Sequence, residues 1–149
     1  MLKYQFKMNP GERFKINTVS LVDYILSLNA VNLPTTHLKI VKGFILGSDP
    51  NKLIELFIKH SRHIWNQIKD SDEKYFISNS KVIFAIFSKD KIDAIVNLIE
   101  SDSINSKSKV VIWKYFSSFV RISINYLLEQ DSFDEHVREE ARMWNIRIK

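Results

Sequence analysis

The chain has 149 residues, a formal net charge of +5 at pH 7, and no cysteine, which excludes disulfides, thiolate metal sites and a cysteine nucleophile. Its length suits one domain, and its 45% hydrophobic and 26% charged residues are ordinary globular usage, which excludes a disordered chain. We therefore expect a single domain over residues 1–149 in an intracellular setting.

Positive charge is concentrated in the first half of the chain. Residues 1–69 contain ten lysines and arginines against four acidic residues, whereas residues 70–149 contain twelve against thirteen. A surplus of this size either serves solubility alone or attracts an anionic partner. The first half is therefore the candidate surface for an anionic partner.

The N-terminal residues predict a short β-hairpin. Apolar and polar side chains alternate over residues 2–8 and again over residues 13–16, which is the period of a strand. Between them, Pro10 and Gly11 suit the central positions of a turn. Because an isolated hairpin is marginal in water, we expect residues 1–17 to pack on the rest of the domain.

Helical spacing predominates after the predicted hairpin. Thr18 is expected to cap a helix that runs to residue 30, and Pro34 to break the chain. Thr35 or Thr36 is then expected to cap a second helix that ends at Gly47.

Three further stretches continue the helical pattern. Asp49 followed by Pro50 is a strong helix start, and the helix after it carries apolar residues as far as Ile68. Acidic residues over 70–73 favour another helix N-terminus. Residues 81–87 fit either a buried helix or a strand, of which we favour the helix, and Ser88 is expected to cap a helix through residue 99.

The C-terminal third contains the predicted centre of the fold. Residues 101–109 have the composition of a linker, and residues 110–128 are apolar on almost every side, as in the central helix of a bundle. Lys114, Arg121 and Asn125 within residues 110–128 disfavour membrane insertion. Residues 132–135 have the spacing of a capping box that opens a last helix. The predicted fold is mainly α: a globular bundle of six to seven helices around a buried central helix, with a short N-terminal β-hairpin.

No arrangement of residues in the sequence is typical of catalysis, a cofactor or a metal. His60 and His63 are spaced to share a helix face, but a catalytic zinc needs three protein ligands. There is no Gly-x-Ser-x-Gly and no phosphate-binding glycine loop. We expect a non-enzymatic protein without a cofactor, a metal or a small-molecule substrate.

Basic residues that alternate with aromatic ones on the predicted hairpin also occur in nucleic-acid-binding proteins, where they combine phosphate contacts with base stacking. The interpretation we favour is that the aromatic side chains pack inward and leave only a few lysines outside. The predicted basic surface for a partner or a nucleic acid comprises Lys3, Lys7, Arg13, Lys15, Lys39, Lys42, Lys52, Lys59 and Arg62.

The last helix offers a second candidate surface. Trp144 together with Arg138 and Arg142 is a set of residue types that is enriched at interface anchors. Trp144 also completes the apolar stripe of its own helix, and this inward position is the interpretation we favour.

Several segments within residues 38–130 resemble a group of small helical proteins encoded by large nucleocytoplasmic DNA viruses. They are Gly43 to Gly47, then Asp49-Pro50-x-x-Leu53-Ile54-x-x-Phe57, then Asp72-Glu73-x-x-Phe76, and Ile112-Trp113-Lys114-Tyr115-Phe116. The resemblance implies a viral helical protein found in the host cytoplasm or the virion, and it transfers no functional residue.

These observations predict a non-enzymatic protein-interaction or assembly protein, such as a virion component or a host-directed factor. A protein partner or self-association is expected. The alternative is a basic accessory protein that binds nucleic acid.

Overall fold

A computed structural model describes residues 8–28, 35–70, 105–130 and 135–148. Within these ranges the chain is mainly α-helical, as predicted, and its apolar side chains form one hydrophobic core. The elements are α1 (Pro10–Ser27), α2 (Thr35–Leu46), α3 (Pro50–Ser61), a 3-10 turn (Arg62–Ile64), α4 (Trp65–Lys69), α5 (Ser106–Leu128) and α6 (Glu135–Met143).

The predicted hairpin is wrong, because its turn and second strand are the start of α1. Asn9 caps this helix, with its Oδ1 accepting a hydrogen bond from the backbone N–H of Glu12 at 2.9 Å. Pro10 occupies the first turn, where the missing N–H has no consequence. The first predicted strand, over residues 2–8, lies outside the described residues except for Met8.

The prediction that Thr18 caps a helix is wrong, because α1 begins eight residues earlier, at Pro10. Thr18 lies inside α1, and its hydroxyl donates to the carbonyl of Phe14 at 2.7 Å. The helix ends at Ser27, close to the predicted end at residue 30.

The predicted end of α2 and the predicted start of α3 are confirmed, whereas Thr35 is the first residue of α2 and not its cap. Helix α2 begins at Thr35 and ends just before Gly47, whose N–H donates to the carbonyl of Gly43 at 3.1 Å. Asp49 is the N-cap of α3 and Pro50 is its first residue. The helix that was expected to continue to Ile68 is instead divided by the 3-10 turn, which lies between α3 and α4.

Helix α5 has the central position that was predicted for residues 110–128, and it packs against α1, α3, α4 and α6. It begins earlier than expected because Asn105 caps it, accepting a hydrogen bond from the N–H of Ser108 at 2.8 Å. The last residues of the predicted linker are therefore helical. Helix α1 shares the central role, since it packs against α2, α3 and α5.

A triangle of phenylalanine rings holds α1, α3 and α5 together. The ring of Phe14 lies 5.2 Å from the rings of both Phe57 and Phe119, and those two rings are 5.9 Å apart. All three side chains are buried. Tilted and edge-on pairs at such distances add to the stabilisation from burial, so this triangle fixes how the three helices meet.

The predicted helix count is not matched in the described ranges. The helices expected over residues 70–99, the choice between helix and strand for residues 81–87, and most of the linker fall outside the described residues, as does most of the 132–135 capping box. In the part that is described, no helix combines the length and the apolar character needed to cross a bilayer.

Candidate functional site

A cleft of about 450 Å³ lies where the end of α3 and the 3-10 turn face α6. Six of its ten lining residues are charged or histidine, and its lining includes two buried tryptophans. The residues that line it are Lys59, Arg62, His63, Trp65, Asn66, His136, Glu139, Glu140, Met143 and Trp144.

An ion pair between Arg62 and Glu140 spans the cleft. Arg62 Nε donates to both carboxylate oxygens, at 3.0 and 3.2 Å, and Nη2 donates to Oε1 at 2.6 Å. The Glu140 side chain is only 12% exposed, so solvent screens this pair less than it screens a surface pair. The paired side chains form a wall of fixed geometry that joins the 3-10 turn to α6.

Arg62 begins the 3-10 turn, and the residues on either side of it, Ser61 and Trp65, are fixed by buried hydrogen bonds. The buried hydroxyl of Ser61 donates to the carbonyl of Phe57 at 2.6 Å and accepts from the indole N–H of Trp65 at 2.9 Å. The guanidinium of Arg62 also lies 5.9 Å from the centre of the Trp65 ring. The indole N–H of Trp65 is therefore hydrogen-bonded, and its ring is in contact with a cation.

Trp144 is 3% exposed and directly follows α6 on its inward side, so it is a cleft-lining core residue and not an exposed anchor. The guanidinium of Arg121 is 5.6 Å from its ring centre, and Arg121 Nη1 donates to the Trp144 carbonyl at 2.8 Å. A cation at the carbonyl end of α6 also complements the helix dipole.

The backbone after Trp144 closes α6 with a Schellman motif. Asn145 has a φ of 55°, its N–H donates to the Arg142 carbonyl at 3.1 Å, and the Ile146 N–H donates to the Ala141 carbonyl at 2.8 Å. This motif and Arg121 together fix the position of the Trp144 indole in the cleft.

The charges in the cleft are unevenly compensated. Glu140 is bound by Arg62, and Glu139 lies 3.3 Å from Arg142, which is not among the lining residues. Lys59 is exposed, and no carboxylate of the described residues lies within ion-pair distance of it. On the α3 side, the cleft therefore presents the positive charge of Lys59, which is not in an ion pair with any carboxylate of the described residues.

Two histidines flank the cleft. His63 is exposed beside Lys59, and His136 Nε2 lies 3.8 Å from Glu140 Oε2. His60, which the sequence paired with His63, is not among the lining residues because α3 ends at Ser61 and His63 belongs to the 3-10 turn. Across the described ranges, no group of three His, Asp or Glu side chains is arranged to hold a metal ion.

The other residues of the predicted basic surface do not join the cleft, and several are engaged internally. Lys15 Nζ donates to the Ser48 carbonyl at 3.0 Å, and Lys42 lies 2.8 Å from Asp23. Arg138 and Arg142 face Glu135 on α6 at 3.7 Å each. Arg13, Lys39 and Lys52 are exposed, as are Arg138 and Arg142, whereas Lys3 and Lys7 lie outside the described residues.

Sequence reasoning placed Lys59, Arg62 and Trp144 in candidate surfaces but missed His136, Glu140 and Trp65 as their neighbours. One signal for α6 was present, because His136, Glu140 and Trp144 recur at four-residue spacing and so share a helix face. The pairing of Arg62 with Glu140 joins residues 78 positions apart, and no local pattern predicts it.

No protein-family model, no curated protein and no solved structure matches this chain.

Proposed function

We propose that this protein is a non-enzymatic interaction protein and that the cleft between α3 and α6 receives a segment of a protein partner. The supporting observation is the combination of two indole side chains, a methionine that is 40% exposed, and an uncompensated lysine around one preformed concavity. Tryptophan, methionine and arginine are enriched at protein interfaces.

The composition of the lining suits contact with a polypeptide. Six of the ten lining residues are ionic or histidine, and the apolar ones are Trp65, Met143 and Trp144. A partially apolar centre within a charged rim is typical of a protein contact.

The rigidity of the cleft walls supports the same proposal. Arg62 is bound to Glu140 by three hydrogen bonds, and Trp144 is held by Arg121 and by the turn that follows it. Walls that are ordered before binding lower the entropic cost of association. A partner segment thus meets a surface that needs little rearrangement.

Site-specific photocrosslinking tests this proposal. A photoreactive phenylalanine analogue replaces Met143 in the cleft, or Met8 as a control, since Met8 is 43% exposed and lies outside the lining. In the native cell extract, we expect a crosslinked protein from position 143 that position 8 does not produce. An adduct of twice the chain mass identifies self-association, which light scattering then measures. Identical adducts at both positions would contradict the proposal.

The second candidate function is nucleic-acid binding by an accessory protein. Lys52 and Lys59 are seven residues apart on α3, so they lie on one side of the helix, and both are exposed. Phosphate contacts make such binding strongly dependent on salt. A monomer whose mobility shifts on DNA at low salt, and no longer does so at high salt, supports this candidate over the first.

The biological setting belongs to the same proposal. The resemblance to small helical proteins of large DNA viruses supports a virion component or a host-directed factor, acting inside a host cell or within the particle. The photocrosslinking experiment addresses this setting directly, because the captured partner is then either a viral or a host protein.

A further inference from the structure

We infer that the partner segment bound by the cleft is acidic: it carries glutamate or aspartate side chains next to an apolar residue. This inference rests on the proposed function and adds the chemistry of the partner to it. The juxtaposition that carries it is Lys59 and His63 on one side of the cleft with the exposed Met143 on the other.

The first step is the balance of charge inside the cleft. Both lining carboxylates already have a cationic neighbour, Arg62 for Glu140 and Arg142 for Glu139. Lys59 is exposed and has no such carboxylate neighbour in the part of the chain that the structure describes. A ligand that brings a carboxylate to Lys59 therefore gains an ion pair in the cleft.

The second step is the position of His63 relative to Lys59. The two residues are four apart, across the junction of α3 and the 3-10 turn, and both are exposed lining residues. An imidazole N–H donates a hydrogen bond in either protonation state, so His63 adds a donor for a carboxylate oxygen. The α3 side of the cleft thus offers two donors to an acidic partner, Lys59 and His63.

The third step is the apolar part of the opposite wall. Met143 is 40% exposed and is followed by Trp144, which lines the same cleft. Methionine is flexible and polarizable, and it adapts to apolar partners of different shape. An apolar side chain of the partner would pack on Met143, next to the acidic side chain that binds Lys59.

The same charges disfavour a nucleic acid in this cleft. A phosphate backbone carries a continuous negative charge, and the Glu139 side chain is 66% exposed at the rim. Glu55, on α3 between Lys52 and Lys59, is also exposed and interrupts the basic side of that helix. A short peptide with a single acidic position avoids both carboxylates, whereas an extended phosphate chain does not.

Titration with synthetic peptides tests the inference. The probe is a blocked peptide in which two glutamates flank a leucine, and its control has glutamines in their place. The readout is the indole N–H signals in proton–nitrogen NMR spectra. We expect the glutamate peptide to shift the signals of Trp65 or Trp144, and to leave that of Trp113 in place, since Trp113 is not a lining residue and donates to the Ile68 carbonyl at 3.1 Å.

A pair of charge reversals on α3 supplies the matched control. Lys59→Glu is expected to weaken binding of the glutamate peptide roughly tenfold, because it removes a charge-assisted hydrogen bond and adds repulsion. Lys52→Glu makes the same change on the same helix outside the cleft, and we expect an effect within about twofold. Both side chains are exposed, and circular dichroism verifies that both variants fold.

The outcomes separate the inference from the proposed function. Equal binding of the glutamate and glutamine peptides, or an unchanged affinity in Lys59→Glu, overturns the acidic-partner inference. A cleft-specific adduct at position 143 in the absence of peptide binding leaves the interaction proposal standing and refutes only its acidic chemistry. A DNA oligonucleotide that shifts the same indole signals overturns the inference in favour of nucleic acid.

Discussion

Arg62 and Glu140 form a two-pronged ion pair between the 3-10 turn and α6, with Nη2 2.6 Å from Oε1 and Nε 3.0 Å from Oε2. This ion pair joins the two elements. Lys59 lines the same cleft without taking part in the pair.

We predict that Arg62 and Glu140 are energetically coupled. Removing one partner leaves a largely buried charge, so Arg62→Ala and Glu140→Ala are each expected to lower the free energy of unfolding by about 1–3 kcal/mol. The double variant loses less than the sum of the two, with a coupling energy of about 1–2 kcal/mol. Urea unfolding followed by circular dichroism measures all four proteins.

The control cycle uses the exposed pair of Lys42 and Asp23, which are 2.8 Å apart. Solvent screens both side chains, so its coupling energy should stay below about 0.5 kcal/mol. A coupling across Arg62 and Glu140 that is as small as this would show that the pair does not hold α6 to the turn.

The glycines at positions 11 and 43 are predicted to respond in opposite directions to alanine. A Cβ on Gly11 would collide with Oδ1 of Asn51 and lie 3.3 Å from the Asn51 backbone nitrogen, whereas a Cβ on Gly43 meets nothing within 4 Å. Gly11→Ala should therefore destabilise the protein by about 1 kcal/mol, since α1 and α3 must separate slightly. Gly43→Ala should stabilise it by roughly 0.5–1 kcal/mol, because alanine is the better residue inside a helix.

Thermal and urea unfolding of the two alanine variants measures this difference. Adding Asn51→Ala to the Gly11→Ala variant removes the closest clash, and part of the lost stability should return. A stabilised Gly11→Ala variant would mean that the two helix starts are not packed as described.

Asn145 is predicted to tolerate glycine and to reject β-branched residues. Its φ of 55° lies in the left-handed region, which asparagine adopts more readily than most residues and glycine adopts without strain. Asn145→Gly should keep full stability, whereas Asn145→Val should lose about 1–2 kcal/mol. The control Arg147→Val introduces the same side chain at a neighbouring exposed position and should change stability by less than about 0.5 kcal/mol.

A consequence for the cleft accompanies the Asn145→Val variant. Because the turn at Asn145 positions Trp144, the Trp144 indole signal should shift in this variant while that of Trp113 does not. An unchanged Trp144 signal together with full stability would contradict the role assigned to the turn.

The end of α2 and the start of α3 were predictable because their signals act locally. Pro50 cannot continue a preceding helix and suits the first turn of a new one, and Gly47 follows the last residue of α2. The start of α1 was not predictable in the same way, since Pro10 and Gly11 fit both a turn and a helix start. The burial of Phe14 against Phe57 and Phe119 favours the helix, and these contacts are distant in sequence.

Only some features of the cleft were predictable from the sequence. The inward position of Trp144 follows from the helical spacing of α6, and the structure confirms it. The partner of Arg62 depends on how α6 packs near the 3-10 turn, which one sequence without its fold does not determine. Charge counting was misleading here: Lys15 and Lys42 contribute to the positive first half, yet each is bound to another part of the chain.

The last prediction concerns the pH dependence of stability through Tyr126. Burial, and next the hydrogen bond that its hydroxyl donates to Glu55 at 2.9 Å, raise the pKa of Tyr126 from 10.0 to about 12. The folded protein therefore retains this proton at pH values where the unfolded chain has lost it. The stabilisation from this group is fully present below about pH 10 and is lost as the pH rises through 12.

Removing the Tyr126 hydroxyl tests whether this group lowers the stability as the pH rises. In Tyr126→Phe the stability should decline less steeply between pH 10 and 12 than in the unchanged protein, because the titrating group is absent. Glu55→Gln keeps the tyrosine but removes the carboxylate, so the tyrosinate absorbance of this variant should rise at a lower pH. The measurements are urea unfolding across this pH range and a spectrophotometric titration of tyrosine. If Tyr126→Phe loses stability as steeply as the unchanged protein, the alkaline loss arises elsewhere and the link between α3 and α5 through Glu55 is not the cause.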